Sequence, residues 1–200
     1  MGEQRSMIKC LILNGPPGIG KDTLAEMLRN HYIMNAFTLA VKDALYRDTA
    51  ERIGMPLPKF IALASDRRTK DAPQREFGGK TPREMLIHVS EEIIKPKFGA
   101  DYYGLMAGAR AAEVLEYGRI PIFTDCGFAE EAVAVADAID LSPMGGEVLV
   151  IRLNGRGCTF QGDSRNYLTV EHPAIEYMDL TVFEGEPEAA CRTIVERLRN

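Results

Sequence analysis

Short apolar runs alternate with segments of helical spacing along most of the chain. Met7–Leu13 is a brief apolar run and predicts a buried strand. From Thr23 to Tyr32 the apolar residues Leu24, Ala25, Leu28 and Tyr32 fall at helical spacing, and Ala36–Ala40 predicts a second strand. Val41–Ile53 has the pattern of a helix that stops at Gly54, ahead of a proline-rich turn, and residues 65–80 are polar enough to predict a loop. Thr81-Pro82-Arg83-Glu84 opens the next helix: Thr81 suits the N-cap, Pro82 the first helical position, and Glu84 completes a capping box. That helix is expected to end near Ile94, before Pro96, and another covers Asp101–Tyr117.

Ile120–Thr124 predicts a strand ending at Asp125, Ala129–Ile139 a helix, and Glu147–Leu153 a strand. Residues 154–170 are polar without clear periodicity, Leu180–Phe183 predicts a last strand, and residues 186–198 a last helix. Strands alternating with helices predict the α/β class, with a parallel sheet covered by helices on both faces. No internal repeat or low-complexity tract interrupts this order. The expectation is a single domain over residues 1–200, with a lid-like segment at about 154–170.

Composition narrows the function classes. The hydrophobic share of 46% and charged share of 26% are those of a globular protein with a sizeable core. A formal net charge of -5 argues against gripping nucleic acid by bulk electrostatics, leaving only a local basic groove. The 4 cysteines, Cys10, Cys126, Cys158 and Cys191, have no metal-ligand spacing and read as reduced thiols. The first apolar run is too short for a membrane span and leads straight into a glycine loop, so no membrane partner and a cytoplasmic location are expected.

That loop is the most specific chemistry in the chain. Asn14-Gly-Pro-Pro-Gly-Ile-Gly-Lys-Asp-Thr-Leu-Ala25 contains Gly15-x-x-x-x-Gly20-Lys21, the Walker A spacing without its final hydroxyl residue. Gly15, Gly18 and Gly20 let the backbone curl, so that N–H groups from Gly15 to Thr23, including that of Ile19, point at one anion. The following helix adds its positive end and Lys21 a mobile cation for the outer phosphates. Asp22 stands where a magnesium-binding hydroxyl is usual. Three roles are open to it: a magnesium ligand, directly or through water; a general base on the accepting hydroxyl; or a charge that stabilises the helix N-terminus. Thr23 can still donate to a phosphate. The motif thus implies ATP and Mg2+.

The stretch Gly15–Thr23 resembles the adenylate-kinase-like branch of P-loop kinases, and its Gly-Lys-Asp-Thr form is similar to deoxynucleoside monophosphate kinases of phage type. Phe37–Leu45, Thr81–Leu86, Phe98–Tyr103, Thr124–Ala132 and Gly145–Arg152 resemble further segments of that family in the same order. The resemblance covers about residues 7 to 165. It implies a three-layer P-loop kinase fold with a lid, a nucleotide substrate, deoxynucleotide metabolism, and the host cytoplasm if the source is viral. Two positions depart from the family: its arginine after the Walker B-like aspartate is Gly127 here, and its asparagine is Glu130.

Other residues join the loop as candidates. Asp125, at the end of an apolar strand, could hold magnesium through water or cap the next helix. Arg152, Arg156 and Arg165 flank or lie in the polar 154–170 segment, where arginines closing over phosphates would neutralise the moving group; solvated surface arginines are the plainer alternative. Arg165 has the advantage of a polar loop around it, and is grouped with Lys21, Asp22 and Asp125 as catalytic. On the acceptor side, Arg83 stands in a helix first turn, where a cation opposes the dipole unless it faces an anion, and Arg67 and Arg68 form a basic pair. Lys42 or Asp43 could contact the acceptor sugar or base. Tyr102 and Tyr103 read as helix-face core, His31, His88 and His172 have no assigned role, and the 9 methionines read as core filler.

Three functions compete on this sequence. The first is ATP-dependent phosphoryl transfer to a nucleoside or deoxynucleoside monophosphate. The second, prompted by Gly127 and Glu130, is a P-loop kinase acting on a hydroxymethylated pyrimidine base in phage DNA, the only reading in which DNA is a partner. The third is a non-catalytic NTP-binding module. A homodimer is compatible with each.

Overall fold

The computed structural model describes residues 7–199; the outer ends of the expected 1–200 span lie outside these residues. Contacts divide the chain into two compact units, one made of residues up to Ala40 together with those from Gly104 on, the other of Val41–Tyr103.

The first unit is built on five parallel strands: β1 (Ile8–Asn14), β2 (Ala36–Leu39), β3 (Ile120–Phe123), β4 (Glu147–Asn154) and β5 (Ile175–Thr181), in the order β2-β3-β1-β4-β5. The central strand is apolar and fully buried from Cys10 to Leu13 because both of its faces are covered there. Leu11 and Leu13 join Leu149, Ile151 and Leu153 of β4 in one core, which takes in Leu24, Ala25 and Leu28 and, from the last helix α8 (Pro187–Arg199), Cys191 and Ile194. Leu24 and Ala25 belong to the helix α1 (Lys21–Met27), which runs on into a π-helical turn, Leu28–Tyr32. The alternate residues Cys10, Ile12, Phe123, Val148 and Val150 are equally buried but outside that core, on the opposite face. The helix following β3 there buries Ala132, Val135, Ala136 and Ile139. This is a three-layer α/β architecture, as the sequence predicts.

The second unit is helical. It holds α2 (Lys42–Arg52), α3 (Leu57–Ser65), a 3-10 turn at Arg75–Phe77, α4 (Pro82–Ile87), a π-helical stretch His88–Ile94 and α5 (Lys95–Phe98). α6 (Tyr102–Glu116) starts at its end, and α7 (Ala129–Asp140) is the helix that follows β3 in the first unit. At the head of α4 the expected capping box is formed: Glu84 N–H donates to Thr81 Oγ1 at 3.1 Å, and Thr81 N–H donates to Glu84 Oε2 at 2.8 Å. Each otherwise lost helix-end donor is satisfied.

Three expectations need correction. The proline-rich turn after Gly54 is followed by α3, whose Pro56 is the N-cap and Pro58 lies in the first turn, positions where the missing N–H costs nothing. Helical structure does not stop before Pro96 but continues to Phe98, because a new α-helical start at Lys95 puts Pro96 in a first turn after the π-helical stretch. The last strand is longer and earlier than Leu180–Phe183: it spans Ile175–Thr181, where Glu176 and Asp179 hide its apolar pattern. Both acids have arginine partners, Arg197 and Arg152.

The second unit's core is small and aromatic: Tyr46, Ala50, Phe60, Ala64 and Phe77. Phe60 is fully buried, meeting Tyr46 edge-on at 5.9 Å and Phe77 at 6.0 Å between ring centres. Phe60→Ala should therefore cost about 3–5 kcal/mol in urea-induced unfolding. Phe60→Leu, which keeps most of the volume but loses the ring geometry, should cost about half as much or less. Equal, small losses for both would mean that this core is loosely packed.

Candidate phosphate-binding site

β1 ends in the glycine loop and α1 begins as the loop closes, so the sheet's carboxyl edge delivers the motif to one end of a helix. Gly18 and Gly20 have φ of 80° and 103°, in the left-handed region that only glycine enters freely, and Gly20 is the N-cap of α1. A side chain at Gly15 would begin 2.8 Å from the Leu153 carbonyl oxygen, so that glycine sets the close approach of loop and β4. Between them the Ile19 side chain is fully buried in the core and anchors the loop; only its backbone is left for a ligand. The first bond of the helix joins Leu24 N–H to Gly20 O at 2.9 Å. The N–H groups of Lys21, Asp22 and Thr23 precede that bond and have no acceptor within the helix.

The Lys21 ammonium folds back over this loop, donating to Gly15 O at 2.6 Å and Pro16 O at 3.0 Å. Burial lowers its pKa and the neighbouring Arg165 lowers it further, against the pull of Asp22 and Asp163. Lys21, Asp125, Gly127 and Arg165 line one cleft, together with Asn14 at the end of β1, Gly15 and Phe160. The position follows from the strand order. After β1 the chain moves toward β2, and after β3 it moves across to β4, so the connections part company at the carboxyl ends of β1 and β3. Ligands bind at such switch points.

Arg165 is held firmly. Its Nε and NH2 donate to the two oxygens of Asp163 at 2.8 and 2.7 Å, and its own N–H donates to Asp163 Oδ1 at 2.9 Å. Its stem crosses Gly127, where an added Cβ would lie 2.5 Å from Arg165 Cδ. The charges of Asp125 and Glu131 also bear on its guanidinium. Glu131 itself accepts the N–H groups of Gly127 and Phe128 at 3.1 and 3.2 Å, fixing the turn that follows Asp125.

The 155–174 segment joins β4 to β5 without helix or strand, and it is pinned down at several points. Buried Asn14 accepts the Leu168 N–H at 3.1 Å through Oδ1 and donates to Asn166 O at 3.3 Å. Tyr167 donates its hydroxyl to Leu153 O at 3.0 Å, and Phe160 packs edge-on against the Tyr167 ring. Arg156, with φ of 54°, is the non-glycine residue in the left-handed region among those described. It sits between Gly155 and Gly157, also at positive φ, and donates from NH1 to Ile19 O at 3.3 Å. Such backbone strain, worth about 1–3 kcal/mol, collects at functional sites.

The remaining sequence candidates lie elsewhere. Asp22 and Thr23 are exposed in the first turn of α1, outside the lining of the cleft. Arg152 forms a two-point pair with Asp179 on β5 at 2.8 and 2.7 Å and lies over the Tyr177 ring, so its guanidinium is engaged along the sheet. Lys42, Asp43, Arg67, Arg68 and Arg83 all belong to the second unit. Lys42 lies 6.0 Å from the Tyr46 ring centre, Arg68 pairs with Asp66 and Arg83 with Asp71, each pair on the surface, and Asp43 and Arg67 are exposed. Tyr103 is buried facing Asp48, consistent with a packing role.

Sequence reasoning missed Asn14, Asp163 and Gly127 as site residues. Asn14 carries a faint signal, a polar residue closing an apolar strand, and Asp163 two before Arg165 has the spacing of a local side-chain turn. Nothing in the sequence brings Gly127 against Arg165, 38 residues later.

No protein-family model matches the chain. Among curated proteins, the replication factor C large subunit of Picrophilus torridus is 30% identical over 100 residues, which is 48% of this chain and 22% of that subunit. The chain thus spans about a fifth of that relative's length. Among solved structures, a gluconokinase from Sinorhizobium meliloti 1021 aligns over 98% of both chains at 14% identity with a TM-score of 0.40. Likeness at these levels defines neither a family nor a substrate. The glycine loop stands between β1 and α1 at the switch point of a parallel sheet, the strand–loop–helix setting that the P-loop motif requires. Among the described residues no helix is long and apolar enough to cross a membrane.

The Asp163–Arg165 pair makes a pH prediction. Hydrogen bonds from Arg165 hold the Asp163 carboxyl at about 2, down from its ordinary 3.8. A carboxylate lowered in this way contributes stability that is fully present above the ordinary value and is lost as pH falls through the folded value. Asp163→Asn should lower the melting temperature at neutral pH and flatten its fall between about pH 4 and about pH 2. Asp66→Asn, at the surface pair with Arg68, should change that profile far less. Identical profiles for wild type and Asp163→Asn would show that the pair is not formed in solution.

Proposed function

We propose that the protein is an ATP-dependent kinase that transfers a phosphoryl group to a nucleoside or deoxynucleoside monophosphate, releasing ADP and the nucleoside diphosphate. One observation supports this most: Lys21, Asp125 and Arg165 meet in a single cleft above a glycine loop at the sheet's switch point. Phosphoryl transfer asks for that combination, because the protein supplies position and charge rather than covalent chemistry.

In this reading the loop N–H groups from Gly18 to Thr23 cradle the β- and γ-phosphates. Lys21 exchanges its bonds to the Gly15 and Pro16 carbonyls for phosphate oxygens. An oxygen of the acceptor phosphate attacks the γ-phosphorus in line as the bond to the β–γ bridging oxygen breaks, and ADP carries that electron pair away. Arg165 neutralises charge on the equatorial oxygens, and Arg156 lies beside the loop at Ile19 to meet the bound nucleotide. Lys42, Asp43, Arg67, Arg68 and Arg83 are the acceptor-side candidates.

Magnesium fits the residues present. Among those described, no group of three or more His, Cys, Asp or Glu could hold a metal by itself. Mg2+ ordinarily takes one or two carboxylates and fills the rest of its shell with water and phosphate. Asp125 would hold it in the cleft, and Asp22, exposed on α1 outside the cleft lining, would contribute only through water. Such an ion would supply positive charge to offset that of the phosphates.

The structure also weakens the motive for the DNA-directed reading. That reading drew on the missing arginine at Gly127 and on Glu130, and the stem of Arg165 runs over the first of these positions. A guanidinium therefore stands beside Asp125 from a different point in the chain.

An ADP-release assay across the ribo- and deoxynucleoside monophosphates should show acceptor-dependent turnover. Lys21→Met should reduce it by roughly 10²–10³-fold, the usual loss of a group that stabilises transition-state charge. Label transfer from ATP to hydroxymethylated DNA, without turnover of any mononucleotide, would favour the second reading. ATP binding with no acceptor-dependent turnover would favour the non-catalytic one.

A further inference from the structure

Resting on the reading of the cleft as a phosphoryl-transfer site, we propose that Gly127 and Asp163 are positioning residues for Arg165. Gly127 keeps open the path its stem takes into the cleft, and Asp163 fixes the guanidinium until a phosphate replaces it. Neither residue needs to touch the substrate. The geometry makes both parts necessary.

The stem comes first. A Cβ on residue 127 would lie 2.5, 3.0 and 3.4 Å from Cδ, Cγ and Cβ of Arg165. The conflict thus runs along the whole inner half of the side chain, and turning the guanidinium alone does not relieve it. Gly127 does not have a positive φ, so an alanine there is acceptable to its own backbone. Substitution should displace Arg165 and leave the turn intact.

The guanidinium comes second. Arg165 shares its cleft with the Lys21 ammonium, and like charges repel. Asp125 and Glu131 offset part of that repulsion, and a bonded counter-charge offsets more. Asp163 supplies that charge with two parallel bonds to the side chain and a third to the Arg165 backbone, which ties side-chain direction to loop conformation. Asn14 and Tyr167 fasten the same segment to the ends of β1 and β4. An arginine prepared in this way pays little ordering entropy when an anion arrives, which is the advantage of preorganisation.

The test is a kinetic cycle on the whole chain. Gly127→Ala and Asp163→Asn should each lower kcat by about 10–10²-fold, with KM for ATP changed by less than about threefold, since small misplacements of a charge near the reacting atoms act on the transition state. Arg165→Ala should lower kcat by about 10²–10³-fold. The double variant Gly127→Ala/Arg165→Ala should be no slower than Arg165→Ala alone, because the glycine acts only through the arginine. Asp163→Glu should recover much of the rate lost in Asp163→Asn. Melting temperatures of each variant separate misfolding from misplacement.

Losses that multiply in the double variant, or a Gly127→Ala enzyme within twofold of wild type, would overturn the proposal. Failure of the kinase reading looks different: wild type itself would lack turnover. In that case the acid limb of thermal unfolding still decides the positioning claim. Gly127→Ala displaces Arg165 from Asp163 and should flatten the fall between about pH 4 and about pH 2 as Asp163→Asn does, and an acid limb like that of wild type would count against it.

Discussion

Two cations crowd one cleft: the ammonium of Lys21, folded against the carbonyls of its own loop, and the guanidinium of Arg165, clasped by Asp163. Burial and mutual repulsion both work against this arrangement. It persists because local oxygens hold each cation singly, the Gly15 and Pro16 carbonyls in one case and a carboxylate in the other. Those are the partners that phosphate oxygens can replace. The rest of the first unit is organised around keeping this pair in place: the core holds Ile19 under the loop, Gly127 clears the arginine's path, and Asn14 ties the 155–174 segment down.

The sheet explains why these groups meet at all. Its strand order parts the chain at the carboxyl ends of β1 and β3, so the glycine loop and Asp125 arrive side by side though 110 residues separate Gly15 from Asp125. The connection after β4 then returns over the same edge with Arg156 and Arg165. Aliphatic burial on both faces of β1 provides the stability against which a strained Arg156 and a desolvated Lys21 are maintained. Local cost at the site is offset by a sheet core in which, among the described residues, Asn14 is the buried polar side chain.

The layout of strands and helices was legible because period and punctuation agreed: apolar runs of strand length, the Thr81 capping box, and glycines where turns occur. Where the reading failed, tertiary context overrode a local cue. Pro56, Pro58 and Pro96 read as breaks, yet each stands at a helix start, where proline is harmless. Glu176 and Asp179 masked β5, because their arginine partners lie far off in sequence. The site divides the same way. The loop and Lys21 announce themselves by spacing, and Asp125 by its place at a strand end. Arg152 reads in the sequence as a phosphate-closing arginine beside Arg165, yet it pairs with Asp179 across the sheet and is absent from the cleft lining that includes Arg165. The partnership of Gly127 with Arg165 has no sequence pattern, since a glycine records only that nothing is there.

Under the proposed function the loop receives the tail of a nucleoside triphosphate. Isothermal titration of the wild-type chain with ATP, in magnesium and again in EDTA, tests this directly. A saturable one-site isotherm in magnesium, weakened when the metal is withdrawn, is the predicted result. Absence of heat and of saturation with ATP, GTP or inorganic triphosphate would contradict it.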